Sequence, residues 1–110
     1  MKQLVSHVEI GTQGASDETE FLSAVFGWNF TETQHGAGWF DTPGGKIGLH
    51  GNNPGFGFVP YFRVADIDTA IHTIRKLGGH AEDVVDEPGW GRFSNCTDRQ
   101  GNRFGLHQPD

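Results

Sequence analysis

A chain of 110 residues holds enough material for one domain core and not for two. Its formal charge of −6, from 14 acidic against 8 basic side chains, leaves no basic stripe to neutralise phosphates, so neither nucleic acid nor an anionic membrane surface is an expected partner. No apolar run approaches the ~20 residues of a bilayer span, and Met1 to His7 passes straight into a strand pattern without an apolar leader, so the expected setting is soluble and cytoplasmic. Cys96 stands alone, which excludes an intramolecular disulfide or a multi-cysteine zinc site and leaves a structural thiol as the simplest reading. The 17 glycines, with nine phenylalanines, three tryptophans and a tyrosine, suit tight turns and a pocket lined by flat side chains.

Val5 to Ile10 alternates apolar and polar residues with period two, the pattern of a half-buried strand, and so sets His7 and Glu9 on one face and Val8 and Ile10 on the other. Ser16 or Asp17 then caps a helix, with Glu20 three residues beyond Asp17 completing a capping box. Phe21, Leu22, Val25 and Phe26 supply its apolar face and Gly27 its stop. Trp28 to Thr33, Gly38 to Thr42 and Lys46 to His50 read as three strands, the last two joined by a Pro43-Gly44-Gly45 hairpin turn.

The turn formers of 52–57 mark a linker, after which the order repeats. Phe58 to Val64 is a strand. Asp66 caps a second helix through Thr69, and Ile67, Ala70, Ile71, Ile74 and Leu77 form a stripe ended by Gly78-Gly79. His80 to Val85, Gly91 to Cys96 and Asn102 to Gln108 supply three more strands. His7 and Gly27 stand 20 positions apart, as do Val59 and Gly79, so the halves share a register, and a tandem βαβββ repeat accounts for both.

Phe26-Gly27-Trp28 after the first helix, Val64-Ala65-Asp66-Ile67 into the second, Leu77-Gly78-Gly79 after it and the stretch Asp98 to Leu106 carry a resemblance over about Leu4 to Gln108. In that order they resemble the glyoxalase/bleomycin-resistance/dioxygenase, or vicinal oxygen chelate, superfamily, in its subgroup of predicted enzymes related to lactoylglutathione lyase. Arg99 stands where that subgroup usually has proline, and Leu22 where an aromatic often follows Phe21. The resemblance implies an α+β fold of two tandem βαβββ modules, about 4–51 and 58–108, forming an open eight-stranded cup with two outer helices in a single domain. It also implies pairing as a homodimer.

Metalloenzymes of the superfamily set one metal ligand on each of four strands, and by motif those positions fall on His7, Gly48, Val59 and Gly105. Glycine and valine offer no donor atom, so His7 alone survives, and one imidazole falls short of the three or four protein ligands of a catalytic site. No cofactor and no divalent metal are therefore expected. Strand alternation adds Glu9 to His7, His50 and Lys46 to Gly48, Tyr61 and Arg63 to Val59, and His107 and Arg103 to Gly105. His50 and His107 lie about 6.6 Å along their strands from the aligned positions at ~3.3 Å per residue, which leaves a displaced metal site with His7 and Glu9 as the alternative.

The same residues also read structurally: Glu9 with Lys46, Arg63 and Arg103 as an internal ion-pair set, and Tyr61 and His7 as core side chains with satisfied polar tips. His35, His72 and His80 read as surface residues. Gly36-Ala37-Gly38 and Gly89-Trp90-Gly91 lack the helix, lysine and hydroxyl of a phosphate loop, so they read as hairpin turns, beside which Trp39 and Trp90 either close over a flat ligand or pack on protein. The expected function is the binding of a small-molecule ligand, by analogy with bleomycin-resistance-type proteins, through His7, Glu9, Trp39, His50, Tyr61, Arg63 and His107. The alternative is a glyoxalase-related lyase or isomerase with His7 and Glu9 as catalytic acid–base groups, aided by Arg63 or Tyr61.

Overall fold

The computed structural model describes residues 4–34, 36–51 and 57–110. Along these run β1 (Leu4–Gly11), α1 (Ala15–Phe26), β2 (Asn29–Gln34), β3 (Ala37–Thr42), β4 (Gly45–His50), β5 (Gly57–Arg63), α2 (Ile67–Lys76), β6 (His80–Ala81), β7 (Val85–Glu87), β8 (Gly91–Thr97) and β9 (Arg103–Pro109). The mixed α+β order expected from the sequence is present, with Lys46 to His50 and the Phe58 to Arg63 stretch in strands. The expected single strand over His80 to Val85 is instead two short ones, β6 and β7, both antiparallel to β8 but at different stretches of it. The linker expected at 52–57 lies, up to its last residue, outside the described residues, as does His35.

The chain divides into two compact units, His7–Val59 and Pro60–Asp110, the second including the described N-terminal residues through Ser6. In the first, β1 runs parallel to β4, β4 antiparallel to β3 and β3 antiparallel to β2. Ile10, Leu22, Phe40 and Leu49 are buried together, with Ala15, Trp28, Phe30 and Ile47 packed around them. Because Ile10, Leu49 and Phe40 turn toward α1, the pleat sends Glu9, Gly48 and Trp39 to the opposite face.

In the second unit β5 is parallel to β9, and β9 antiparallel to β8. Val64, Ile67, Ile71, Ala81, Cys96 and Leu106 form its core. Alternation along β5 and β9 then puts Tyr61, Arg63, Gly105 and His107 on the other face.

The helices differ from expectation in instructive ways. Asp66 caps α2 as read, its Oδ1 accepting the Thr69 N–H at 3.1 Å. Capping of α1 by Ser16 or Asp17 does not occur. That helix starts earlier, at Ala15, with Gly14 as N-cap and no side-chain cap, because the methyl of Ala15 joins the core. Asp17 and Glu18 then sit in the first turn, where the helix dipole favours negative charge. Of the expected apolar face of α1 only Leu22 is buried, while Phe21, Val25 and Phe26 are 60%, 56% and 56% exposed, as is Leu77 past α2 at 61%.

Candidate functional site

The polar face of the first unit gathers around one carboxylate. Glu9 is the register partner of Gly48, and Gly48 of Trp39, so the three form a row across β1, β4 and β3. A methyl on Gly48 would lie 2.3 Å from Glu9 Oε2, so the bare glycine gives the carboxylate its place. His50 Nδ1 is 3.1 Å from Glu9 Oε1 and His7 Nε2 3.4 Å from Glu9 Oε2. The side chains of His7, Glu9 and His50 are 13%, 25% and 39% exposed, a gradient from enclosed imidazole to solvent-facing imidazole across one carboxylate. Trp39 is half-buried at the end of the row and carries the Lys46 ammonium 4.2 Å above its ring.

The second unit repeats this plan with different chemistry. Tyr61 is the register partner of Gly105, and a methyl there would meet the Tyr61 ring at 2.1 Å. The ring crosses the glycine and its hydroxyl donates to Asn95 Oδ1 on β8, itself the register partner of Gly105. His107, two residues on, is buried: its Nδ1 lies 2.8 Å from Ser6 Oγ, its Nε2 3.0 Å from the Trp90 carbonyl, and its ring stacks on Trp90 at 3.9 Å and 17°. Trp90 thus packs on protein, edge-on to Phe93 as well. Arg63 and Arg103 are exposed.

The residues picked from the sequence therefore fall into a group of four in the first unit, His7, Glu9, Trp39 and His50, and a group of three in the second, Tyr61, Arg63 and His107. The ion-pair set expected for Glu9, Lys46, Arg63 and Arg103 is not a desolvated cluster, since all three cations are exposed and Glu9 lies against imidazoles. His72 and His80 are exposed surface residues. Asn95 and Ser6 were missed by sequence reasoning: the β8–β9 register alone would have pointed to Asn95, whereas nothing local marks Ser6 as a partner of His107.

A divalent metal does not fit the aligned positions. Gly48, Val59 and Gly105 have no donor, and the spaces over the two glycines are filled by the Glu9 carboxylate and the Tyr61 ring. Among the described residues no group of three or more His, Cys, Asp or Glu side chains is arranged to hold a metal ion. The displaced site also fails at His107, whose two ring nitrogens face Ser6 and a backbone carbonyl. Among the described residues no helix is long and apolar enough to cross a membrane.

No protein-family model and no curated protein sequence matches the chain. Solved structures do. A hypothetical protein, BH1468, from Bacillus halodurans C-125 superposes over 100% of this chain and 96% of its own at TM-score 0.76 and 13% identity. A glyoxalase/bleomycin resistance protein/dioxygenase superfamily member from Vibrio splendidus 12B01 covers 97% of this chain and 99% of its own at TM-score 0.70 and 14% identity. The chain has the glyoxalase/bleomycin resistance/dioxygenase fold. Methylmalonyl-CoA epimerase from Mycobacterium tuberculosis shares that fold, at TM-score 0.69 and 17% identity over 96% of this chain and 87% of its own. Within it, the row Glu9–Gly48–Trp39 across β1, β4 and β3 and the row Tyr61–Gly105–Asn95 across β5, β9 and β8 occupy equivalent register in the two units.

Proposed function

We propose that the protein binds a small molecule on the polar sheet face of its first module, without a resident metal, in the manner of bleomycin-resistance-type proteins. The observation that carries this is the Glu9 carboxylate seated over Gly48 between His7 and His50, only 25% exposed. A carboxylate hydrogen-bonded by His50 and flanked by the His7 ring is an oriented acceptor that needs no metal to place it, and Trp39 beside it offers a flat apolar surface. Kinship with the subgroup related to lactoylglutathione lyase and pairing as a homodimer belong to the same proposal and rest on the motifs of Phe26 to Trp28 and Asp98 to Leu106, while a cytoplasmic setting belongs to it on a sequence in which no apolar run approaches a bilayer span. A thermal-shift screen of small carboxylates, thioesters and flat heterocycles, run with EDTA and with added divalent ions, tests it. Ligands that raise the melting temperature equally in both arms support metal-free binding, because a ligand preferring the folded state stabilises it by mass action. Stabilisation seen only with a divalent ion would overturn it.

One contact favours a second reading, in which the site does proton transfer. With His50 Nδ1 3.1 Å from Glu9 Oε1, a proton taken up by the carboxylate has an adjacent imidazole that leads toward solvent. Such a pair suits abstraction of a proton next to a carbonyl, a lyase or isomerase chemistry, and the epimerase sharing this fold bears the name of a reaction of that kind. Full activity of Glu9→Gln on a substrate found in the screen would rule out Glu9 as the base.

A further inference from the structure

A serine, a histidine and a backbone carbonyl in the second unit stand in the relation of nucleophile, base and orienting acceptor. The carbonyl of Trp90, 3.0 Å from His107 Nε2, can only accept, so Nε2 carries the proton. In the neutral ring Nδ1 is then a lone-pair acceptor, and the Ser6 hydroxyl 2.8 Å away donates to it. The imidazole is buried and stacked on Trp90, which fixes its aim as the Trp90 carbonyl fixes its tautomer, while Ser6 itself is exposed to solvent. A base oriented by a third group and hydrogen-bonded to an accessible hydroxyl is the arrangement that activates a serine. Arg63, the register partner of His107 and also exposed, brings a fixed positive charge to the adjoining strand.

We infer that Ser6 is an activated nucleophile that accepts an acyl group from a small ester. Ser6 Oγ forms a bond to the ester carbonyl carbon as its proton passes to His107 Nδ1, and the imidazolium is held by the Nε2–H bond to the Trp90 carbonyl. Collapse of the tetrahedral adduct breaks the bond to the leaving oxygen, which takes the proton from Nδ1 and departs as the alcohol. The product is acyl-Ser6 and a neutral His107. Water entering by the same route in reverse releases the acid.

Two probes test this on the full-length protein. An alkyl fluorophosphonate should phosphonylate Ser6 alone among the serines, with loss of fluoride, as mapped by peptide mass spectrometry. p-Nitrophenyl acetate should give a burst of p-nitrophenol matched by acetyl-Ser6. His107→Gln keeps a donor for the Trp90 carbonyl but removes the base, and should slow both labellings by about 10²-fold or more, the usual size of general-base assistance. Ser6→Ala should abolish the burst. Because the wild-type labelling is itself decisive, a variant that fails to fold does not blunt the test. Labelling of Ser6 no faster than in urea-unfolded protein, or modification confined to lysines and the N-terminus, would overturn the inference.

Discussion

Gly48 and Gly105 lie at matching places in the two modules, and each leaves out a side chain so that a neighbour can fill the space. Over Gly48 the occupant is the flexible end of Glu9, and over Gly105 it is the rigid ring of Tyr61. Gly105→Ala should therefore destabilise the fold by about 1–3 kcal/mol in chemical denaturation, since the ring cannot yield without losing Asn95. Gly48→Ala should cost less, because the carboxylate can swing away, but should detach Glu9 from His50. Burial pushes the Cys96 thiol up, so little thiolate forms. In native protein near neutral pH it should resist a disulfide reagent that reacts at once after unfolding. At this scale the sequence told which face each residue takes but not which partner it meets. His7, Glu9 and His50 share a face by alternation and do converge, whereas His107, assigned to a ligand by the same alternation, is enclosed by Ser6 and Trp90, the first from a remote strand.

The two helices show how local signals compete with packing. Asp66 caps α2 as its sequence reads, and its carboxyl is held below the usual aspartate range, chiefly by the Thr69 backbone N–H and then by the Thr69 hydroxyl. A carboxyl lowered on folding stabilises the native state above the ordinary aspartate range, and this contribution is lost as pH falls through the lowered value. The melting-temperature advantage of wild type over Asp66→Ala should accordingly shrink on acidification and be steady from pH 5 upward. In α1 the capping signal at Ser16 and Asp17 gave way to an earlier start at Ala15, whose half-buried methyl packs against the core. Spacing also placed Phe21, Val25 and Phe26 on a common stripe with Leu22, yet periodicity cannot say how wide a stripe the sheet covers. Leu22→Ala should cost about 2–5 kcal/mol, and Phe21→Ser should stay within about 0.5 kcal/mol, both by denaturant titration.

For the molecule as a whole, the repeated βαβββ order was legible because each element announces itself by period and stop. Splitting of the expected strand over His80 to Val85 was not: Ala81 pairs with Cys96 and Val85 with Phe93, so the three residues 82–84 face only Ser94 and Asn95, and the ladder is interrupted between β6 and β7. That Gly48, Val59 and Gly105, the positions the resemblance aligns with metal ligands, carry no donor atom was equally plain from residue type, but not that the Glu9 carboxylate and the Tyr61 ring fill the space over the two glycines. That replacement is the physical basis of the proposed metal-free binding face, in which Glu9 is the acceptor. The most direct measurement is an amide-shift map of 15N-labelled protein titrated, in EDTA, with the hits of the ligand screen. Saturable shifts at Glu9, Gly48 and His50 and at the Trp39 indole N–H, weakened at least about tenfold in affinity by Glu9→Gln, are the predicted result. Binding that appears only when a divalent ion is restored, or shifts that leave those residues unmoved, would contradict it.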